Sequence, residues 1–251
     1  MATVVDDAVV AVQGSIAELH ARHRAGASLP TGGVLSDLDD PPQLLCPVTP
    51  SKIVCVGLNY VHHAREMGKE VPDEPLLFIK PPSALVGPGD DIVLPPQSTE
   101  VHHEAELAVI IGDELSDADE AAAAEAIFGY TCALDISARD IQRREKRYTR
   151  AKGFDTFAPL GPAIALAPEF DPADQTLTCL VDGQRRQHTG LDDFIFGIDE
   201  VLSFISHVMT LVPGDVILTG TPSGVGPIVD GQVVTVEIGE IGTLVNPVVR
   251  R

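Results

Sequence analysis

The sequence predicts a β-rich α+β fold built on a rolled or sandwiched mixed sheet. Two observations carry that prediction. From Lys52 onward the chain is written in short apolar runs rich in β-branched residues and bounded by turn residues, the signature of strands. In that part only three longer stretches read as helices, and they do not alternate regularly with the strands, which argues against a doubly wound sheet.

Taken in order, residues 1–48 are expected to form a small N-terminal unit, and residues 49–251 the main domain. The first holds an amphipathic stretch, Ile16 to Arg24, with His20 and His23 expected on a solvated helix face. A loop rich in Gly, Pro and Asp follows from Gly26 to Pro42. The main domain opens with predicted strands at Ile53–Gly57, Leu76–Ile79, Leu107–Ile111 and Tyr130–Ile136. Further strands are predicted at Leu177–Val181, Val216–Thr219, Val233–Ile238 and Thr243–Val249. Asp182-Gly183 and Asp230-Gly231 are dipeptides that favour tight hairpin turns, because both central positions tolerate positive φ. The predicted helices are Asp117–Phe128, alanine-rich with an acidic first turn, the basic Ala138–Arg150, and Asp199–Thr210. In the last, Val201, Leu202, Ile205, Val208 and Met209 recur with a 3.6-residue period.

Composition narrows the function classes. With 251 residues and 44% hydrophobic content the chain can bury a sizeable core. The net charge of −20 disfavours nucleic acid and anionic membrane surfaces as partners, and an anionic substrate would need a locally positive site. Cys46, Cys55, Cys132 and Cys179 show no C-x-x-C spacing and read as core residues rather than ligands. No secretory signal and no membrane-spanning run is legible, so a cytoplasmic protein is expected.

The candidate site begins at His103-Glu104-Ala105-Glu106, just ahead of an apolar strand. In a strand, residues i and i+2 share a face about 7 Å apart, so both carboxylates point the same way. Two like charges held together beside a buried segment require a proton or a cation between them. Hard oxygen ligands without thiolate favour Mg²⁺ or Mn²⁺ over zinc. Spacing alone leaves a solvated edge strand equally open. Asp135, at the end of the next strand, is either a helix N-cap or, beside the two glutamates, a third oxygen ligand. After the first strand, His63 and Glu66 are spaced i, i+3, which lets the carboxylate orient the imidazole as a general base for water; a surface helix with incidental charges is the alternative. The polar segment Gly68–Asp73 suits a loop or lid. Lys152 is placed to bind an anionic group or to be an ordinary exposed lysine. Thr219–Gly226 offers hydroxyls and backbone N–H groups as a nest for a carboxylate, without the lysine of a phosphate-binding loop.

Together these segments resemble the fumarylacetoacetate hydrolase family. The matching stretches are Val54–Tyr60, Phe78-Ile79-Lys80-Pro81, His102–Leu107, Asp135–Gln142, Lys152-Gly153-Phe154-Asp155 and Thr219–Gly226, in family order across roughly residues 50–249. The resemblance implies a mixed β-sandwich roll with the N-terminal part as an appendage, and a homodimer or higher homo-oligomer. It implies Mg²⁺ or Mn²⁺ held by Glu104, Glu106 and Asp135, and a His63–Glu66 dyad on a lid. Lys152 joins that dyad as a catalytic candidate, and Gln142, Thr221, Tyr60, Arg139 and Gly220 are the candidate substrate contacts. Leu58 stands where some relatives carry Arg, Tyr148 where Trp is common and Thr189-Gly190 where Asn-Thr is frequent, which leaves substrate choice open.

The implied activity is divalent-metal-dependent C–C cleavage of short 2-oxo acids, by acylpyruvate hydrolysis or oxaloacetate decarboxylation, through a metal-stabilised enolate. The same chemistry without cleavage gives an isomerase of 2-hydroxyhepta-2,4-diene-1,7-dioates in aromatic catabolism. Two other classes stay in view. One is a non-haem iron oxygenase using His102, His103 and Glu104, although adjacent strand residues face opposite ways. The other is a catalytically silent metal-binding oligomer.

Overall fold

The computed structural model describes residues 2–5, 8–37, 44–66, 68–167 and 169–250. Its centre is a seven-stranded mixed sheet, in the spatial order Leu76–Lys80, Ile53–Gly57, Val216–Leu218, Ala105–Ile111, Ile127–Leu134, Ala158–Leu166, Leu85–Val86. Ile53–Gly57 runs parallel to Val216–Leu218, and Ala105–Ile111 is antiparallel to both Val216–Leu218 and Ile127–Leu134. A five-stranded sheet of Gln184–Gly190, Thr176–Val181, Val233–Ile238, Gly242–Arg250 and Ile92–Leu94 packs against one face. The result is a strand-rich mixed fold with a curled, sandwiched sheet, as the sequence predicts.

Alternation along the central strands builds two cores. Leu107, Val109 and Ile111, with Cys132 and Leu134, face Leu177, Cys179, Val234 and Val236 of the second sheet. The residues between them, Ala108 and Ile110, face the other way and meet Phe128, Val216, Leu218 and Leu19. A sheet buried on both faces explains why Ala105–Ile111 and Ile127–Leu134 read as unbroken apolar runs rather than alternating ones. The helix Ile198–Val208 lays Val201, Leu202 and Ile205 into the first core.

Several expectations are corrected. His20 is not solvated: the helix Ile16–Arg24 covers the second core, and His20 is buried there, its Nε2 3.0 Å from the Glu125 carbonyl oxygen. The segment expected as a loop from Gly26 contains the strand Thr31–Asp37, which pairs with Ala8–Val12 and, through it, with Ala2–Val5. Pro42 lies outside the described residues. The basic helix Ala138–Arg150 is two shorter ones, Arg139–Glu145 and Thr149–Lys152, because Lys146 adopts a left-handed conformation that ends the first. The helix expected to reach Phe128 covers only Glu120–Glu125, and the chain enters the next strand at Ile127. Asp182-Gly183 makes the expected hairpin turn, both residues having positive φ. Asp230-Gly231 makes a turn, but the strands it joins are not hydrogen-bonded to each other. No described helix is long and apolar enough to cross a membrane.

Candidate active site and metal centre

The strand ends of the central sheet converge on one cleft. Glu104 occupies the break between Val101–His103 and Ala105–Ile111, Glu106 is the second residue of the latter strand, and Asp135 follows Ile127–Leu134. Antiparallel pairing sets Glu106 opposite Ala133, and the Asp135 N–H donates to the Glu104 carbonyl at 2.8 Å. Their side chains therefore meet: one carboxylate oxygen from each of Glu104, Glu106 and Asp135 lies within 4.8 Å of the others, and all three residues are buried. They line a cleft of about 410 Å³ together with His63, Lys69, Arg139, Gln142, Lys152 and Thr221. Val56, Leu58, Phe78 and Tyr148 supply its apolar walls. Leu58 holds the left-handed conformation at φ 59°, which an L residue adopts only at a cost.

The charges around the three acids are uneven. Lys80 Nζ donates to Asp135 at 2.6 Å and to the Ile136 carbonyl at 3.1 Å. Lys152 Nζ donates to Glu104 at 2.5 Å and also to Asp135, and Arg139 pairs with the other oxygen of Glu104. Burial pushes the Asp135 carboxyl upward, but Lys152 and Lys80 outweigh it and hold the group below its ordinary range. Among the described residues Glu106 is hydrogen-bonded to none of these cations and accepts only the Gly220 N–H, at 2.7 Å. Burial, reinforced by the Asp135 charge, pushes its carboxyl up to about 8. A buried carboxyl without a cation, within reach of two others, is the donor set a hard divalent ion completes. The residues fit such an ion.

The second element is the dyad. His63 and Glu66 sit on the helix Val61–Glu66, with Nδ1 of His63 3.2 Å from Glu66 Oε2. An N–H at Nδ1 donates to that carboxylate and leaves Nε2 with the lone pair. Burial lowers the imidazole's affinity for a proton, and Glu66 opposes only part of that effect. A neutral ring is the result, the form a general base needs. Asn59 fixes the start of this helix: its side chain donates to the Phe196 and Thr219 carbonyls and accepts the Phe196 N–H.

The loop Thr219–Gly226 is a carboxylate nest, but the carboxylates it holds are the protein's own. The Gly220 N–H binds Glu106 and the Gly224 N–H binds Glu66 at 3.0 Å. Gly220 therefore does not line the cleft, contrary to the expectation of a substrate contact. Its φ of +101° and the Asn59 Cβ, 2.8 Å from where a Cβ of its own would be, explain the glycine. Tyr60 is also outside the cleft lining, its ring buried against Phe194 with centroids 4.9 Å apart. Thr221 and Gln142 do line it. Gln142 Oε1 accepts from Arg139, and the Thr221 hydroxyl donates to the Ala105 carbonyl at 2.8 Å.

Two residues of the site escaped the sequence reading. Lys80 is fully buried; its signals were a lysine ending an apolar strand and its place in the matching stretch Phe78-Ile79-Lys80-Pro81, neither of which assigned it a role. Gln187 bridges the site from behind: Oε1 accepts from His103 Nδ1 and the Ala105 N–H, and Nε2 donates to Thr221 Oγ1 at 2.7 Å and to the Pro222 carbonyl. The oxygenase alternative finds no support. His103 binds Gln187 while His102 binds Glu100, and Glu104, Glu106 and Asp135 are the one His/Cys/Asp/Glu cluster of ligand geometry among the described residues.

The family model of the fumarylacetoacetate (FAA) hydrolase C-terminal domain matches residues 52–249. A mitochondrial oxaloacetate tautomerase of Bos taurus is 44% identical over 216 residues, spanning 82% of this chain and 69% of that protein. The crystal structure of a 5-carboxymethyl-2-hydroxymuconate delta-isomerase from Mycobacterium smegmatis superposes with a TM-score of 0.82 at 45% identity, covering 97% of this chain and 94% of the other. A fumarylpyruvate hydrolase from Pseudomonas aeruginosa, in complex with Mn²⁺ and pyruvate, gives 0.78 at 32% identity, with coverage of 86% and 100%.

Proposed function

The chain belongs to the fumarylacetoacetate hydrolase family, and from that premise we propose that it is a divalent-metal-dependent enzyme that cleaves a C–C bond of short 2-oxo acids. The observation that carries the proposal is the meeting, in one cleft, of three buried carboxylates with a neutral, carboxylate-oriented imidazole. Glu104, Glu106 and Asp135 would hold Mg²⁺ or Mn²⁺. When bound, the ion supplies Lewis acidity toward the 2-oxo acid.

The chain's own residues do the rest. The cationic groups of Lys152 and Arg139 stand at the cleft floor, where they attract the substrate's carboxylate and offset negative charge developing at its 2-oxo end. Val56, Leu58, Phe78 and Tyr148 line the acyl part and keep bulk water from it. His63 Nε2 removes a proton from a water that attacks the C4 carbonyl, and Glu66 stabilises the imidazolium that forms. The C3–C4 bond then breaks, its electron pair remains on C3 as the enolate of pyruvate, and a proton returned to C3 gives pyruvate beside the released acid. With oxaloacetate the same bond breaks with loss of CO₂ and without an attacking water. Gln142 and Thr221 complete the polar lining. The working unit of this proposal is a homodimer or higher homo-oligomer, which light scattering on the purified chain tests.

A second reading is favoured by one finding. The tautomerase and the isomerase stand at 44% and 45% identity, the hydrolase at 32%. In that reading His63 moves a proton on the carbon skeleton and no bond between carbons breaks. The deciding experiment is product analysis by NMR with oxaloacetate, acetylpyruvate, fumarylpyruvate and a 2-hydroxydienedioate, each with Mg²⁺, Mn²⁺ or EDTA. Pyruvate release that EDTA abolishes supports cleavage. Enol–keto or double-bond migration without cleavage of any of the four transfers the proposal to isomerisation.

A further inference from the structure

Behind the catalytic cleft lies a second hollow, of about 680 Å³, lined by His103, Arg185, Arg186 and the stretch Gly224–Pro227. A β-bulge shapes it. In the hairpin, Cys179 pairs with Gln187 but Leu180 pairs with Arg185, so Arg186 is an extra residue on its strand. Regular alternation would put Arg185 on the buried face with Gln187. The bulge instead leaves Arg185 and Arg186 both exposed on the hollow's side while Gln187 stays buried. In a chain of net charge −20, neither guanidinium has a carboxylate partner among the described residues; Arg186 reaches only Gln184 Oε1, at 3.2 Å.

The hollow's inner wall carries a hydrogen-bond acceptor. Gln187 Oε1 receives the Ala105 N–H at 3.1 Å, which identifies that atom as oxygen. His103 Nδ1, 3.0 Å from the same oxygen, must therefore donate. The neutral ring with its proton at Nδ1 has a lone pair at Nε2, on the edge that lies against Gly226 at the hollow. Two adjacent cations beside one neutral acceptor make a specific combination, because the acceptor repels a bare anion and welcomes one that carries a proton.

We propose that this hollow is a binding site for an oxyanion bearing its own hydroxyl, the anionic oxygens meeting Arg185 and Arg186 and the O–H donating to His103 Nε2. Hydrogen phosphate and a 2-hydroxycarboxylate share that chemistry. The site stands independently of the reaction proposed for the cleft.

Isothermal titration of the metal-loaded full chain with two matched pairs tests it: phosphate against sulfate, and glycolate against acetate, at constant ionic strength. The signal is the difference between wild type and the double variant R185Q/R186Q, which cancels any binding in the catalytic cleft. The expected result is one-site binding in wild type to the hydroxyl-bearing member of at least one pair, about ten-fold tighter than to its partner and about ten-fold weaker in R185Q/R186Q. Which pair responds identifies the source of the anion. The thermal midpoint of the double variant should match wild type, since both side chains are exposed. Binding that survives in R185Q/R186Q, equal binding within both pairs, or no difference signal up to ~10 mM anion overturns the proposal.

Discussion

Glu106 makes the metal proposal measurable without any substrate. Burial and the Asp135 charge push its carboxyl up to about 8 in the ion-free protein, so the protonated form dominates at pH 7, and a divalent ion that takes it as a ligand must expel that proton. Titration of Mg²⁺ or Mn²⁺ at pH 7 in two buffers of different ionisation enthalpy should report most of one proton released per ion, and little release well above pH 8. Apparent affinity should rise close to ten-fold per pH unit below pH 8 and level off above it. The linked stability has a definite sign. A folded-state value raised above the ordinary 4.5 contributes stability that is complete below pH 4.5 and lost as pH climbs through about 8, a loss on the order of 5 kcal/mol for the ion-free protein. Thermal midpoints with EDTA should therefore fall across that window, and saturating Mn²⁺ should restore them most at the alkaline end. Glu106→Gln should abolish proton release while leaving the fold intact. Proton release that is absent at pH 7, or unchanged in Glu106→Gln, refutes the reasoning.

The other predictions are briefer. His63→Ala and Glu66→Gln should each lower kcat by roughly 10²–10⁴-fold with normal folding and metal content. Because Glu66 raises the His63 proton affinity against the lowering effect of burial, the acid limb of the pH–rate profile should lie below 6.5 and move lower still in Glu66→Gln. Asp215, fully buried, accepts from the Ser51, Lys52 and Val212 N–H groups and the Ser51 hydroxyl, and pairs with Lys52. Asp215→Ala should cost about 3–5 kcal/mol in urea unfolding. Its carboxyl is raised by burial but lowered more by Lys52 and these donors, so that stability persists above pH 3.8 and is lost as pH falls through the depressed folded value. Gln187→Leu should leave the Ala105 N–H and the Pro222 carbonyl without their side-chain partner and destabilise by about 2–3 kcal/mol, read by the same melt.

The legible part of this molecule was the part written by strand periodicity. Glu104 and Glu106 could be placed side by side because a period of two is insensitive to where a strand begins, but that spacing left a solvated edge open, and only the packed sheet shows both buried. Asp135 was found because it terminates such a run. What failed was whatever depended on chain packing. The strand Ala158–Leu166 was absent from the predicted strands because Pro159, Gly161 and Pro162 disfavour a ladder; they are tolerated because its partners there, Ile127–Leu134 and Leu85–Val86, pair only in part with it. His20 looked polar in a polar helix, and only the neighbouring sheet makes its face an inner one. Lys80 and Gln187 are single polar residues on strands, and nothing in one sequence says which of many such residues will find three or four buried partners. The β-bulge at Arg186 is invisible for the same reason: register is a property of two strands.

The two halves of the proposed catalytic machinery are anchored differently. The three acids stand on or beside central strands buried on both sides, whereas the helix bearing His63 reaches the loop after Val216–Leu218 through Glu66 and the Gly224 N–H. Withdrawing that short helix, with Asn59 holding its start, breaks the Glu66 contact with the Gly224 N–H and uncovers His63 and Ala64, while the floor of the cleft stays in place. In the proposed enzyme, product would depart and fresh reactant enter over a hinge that leaves the three acids, and any ion they hold, in place.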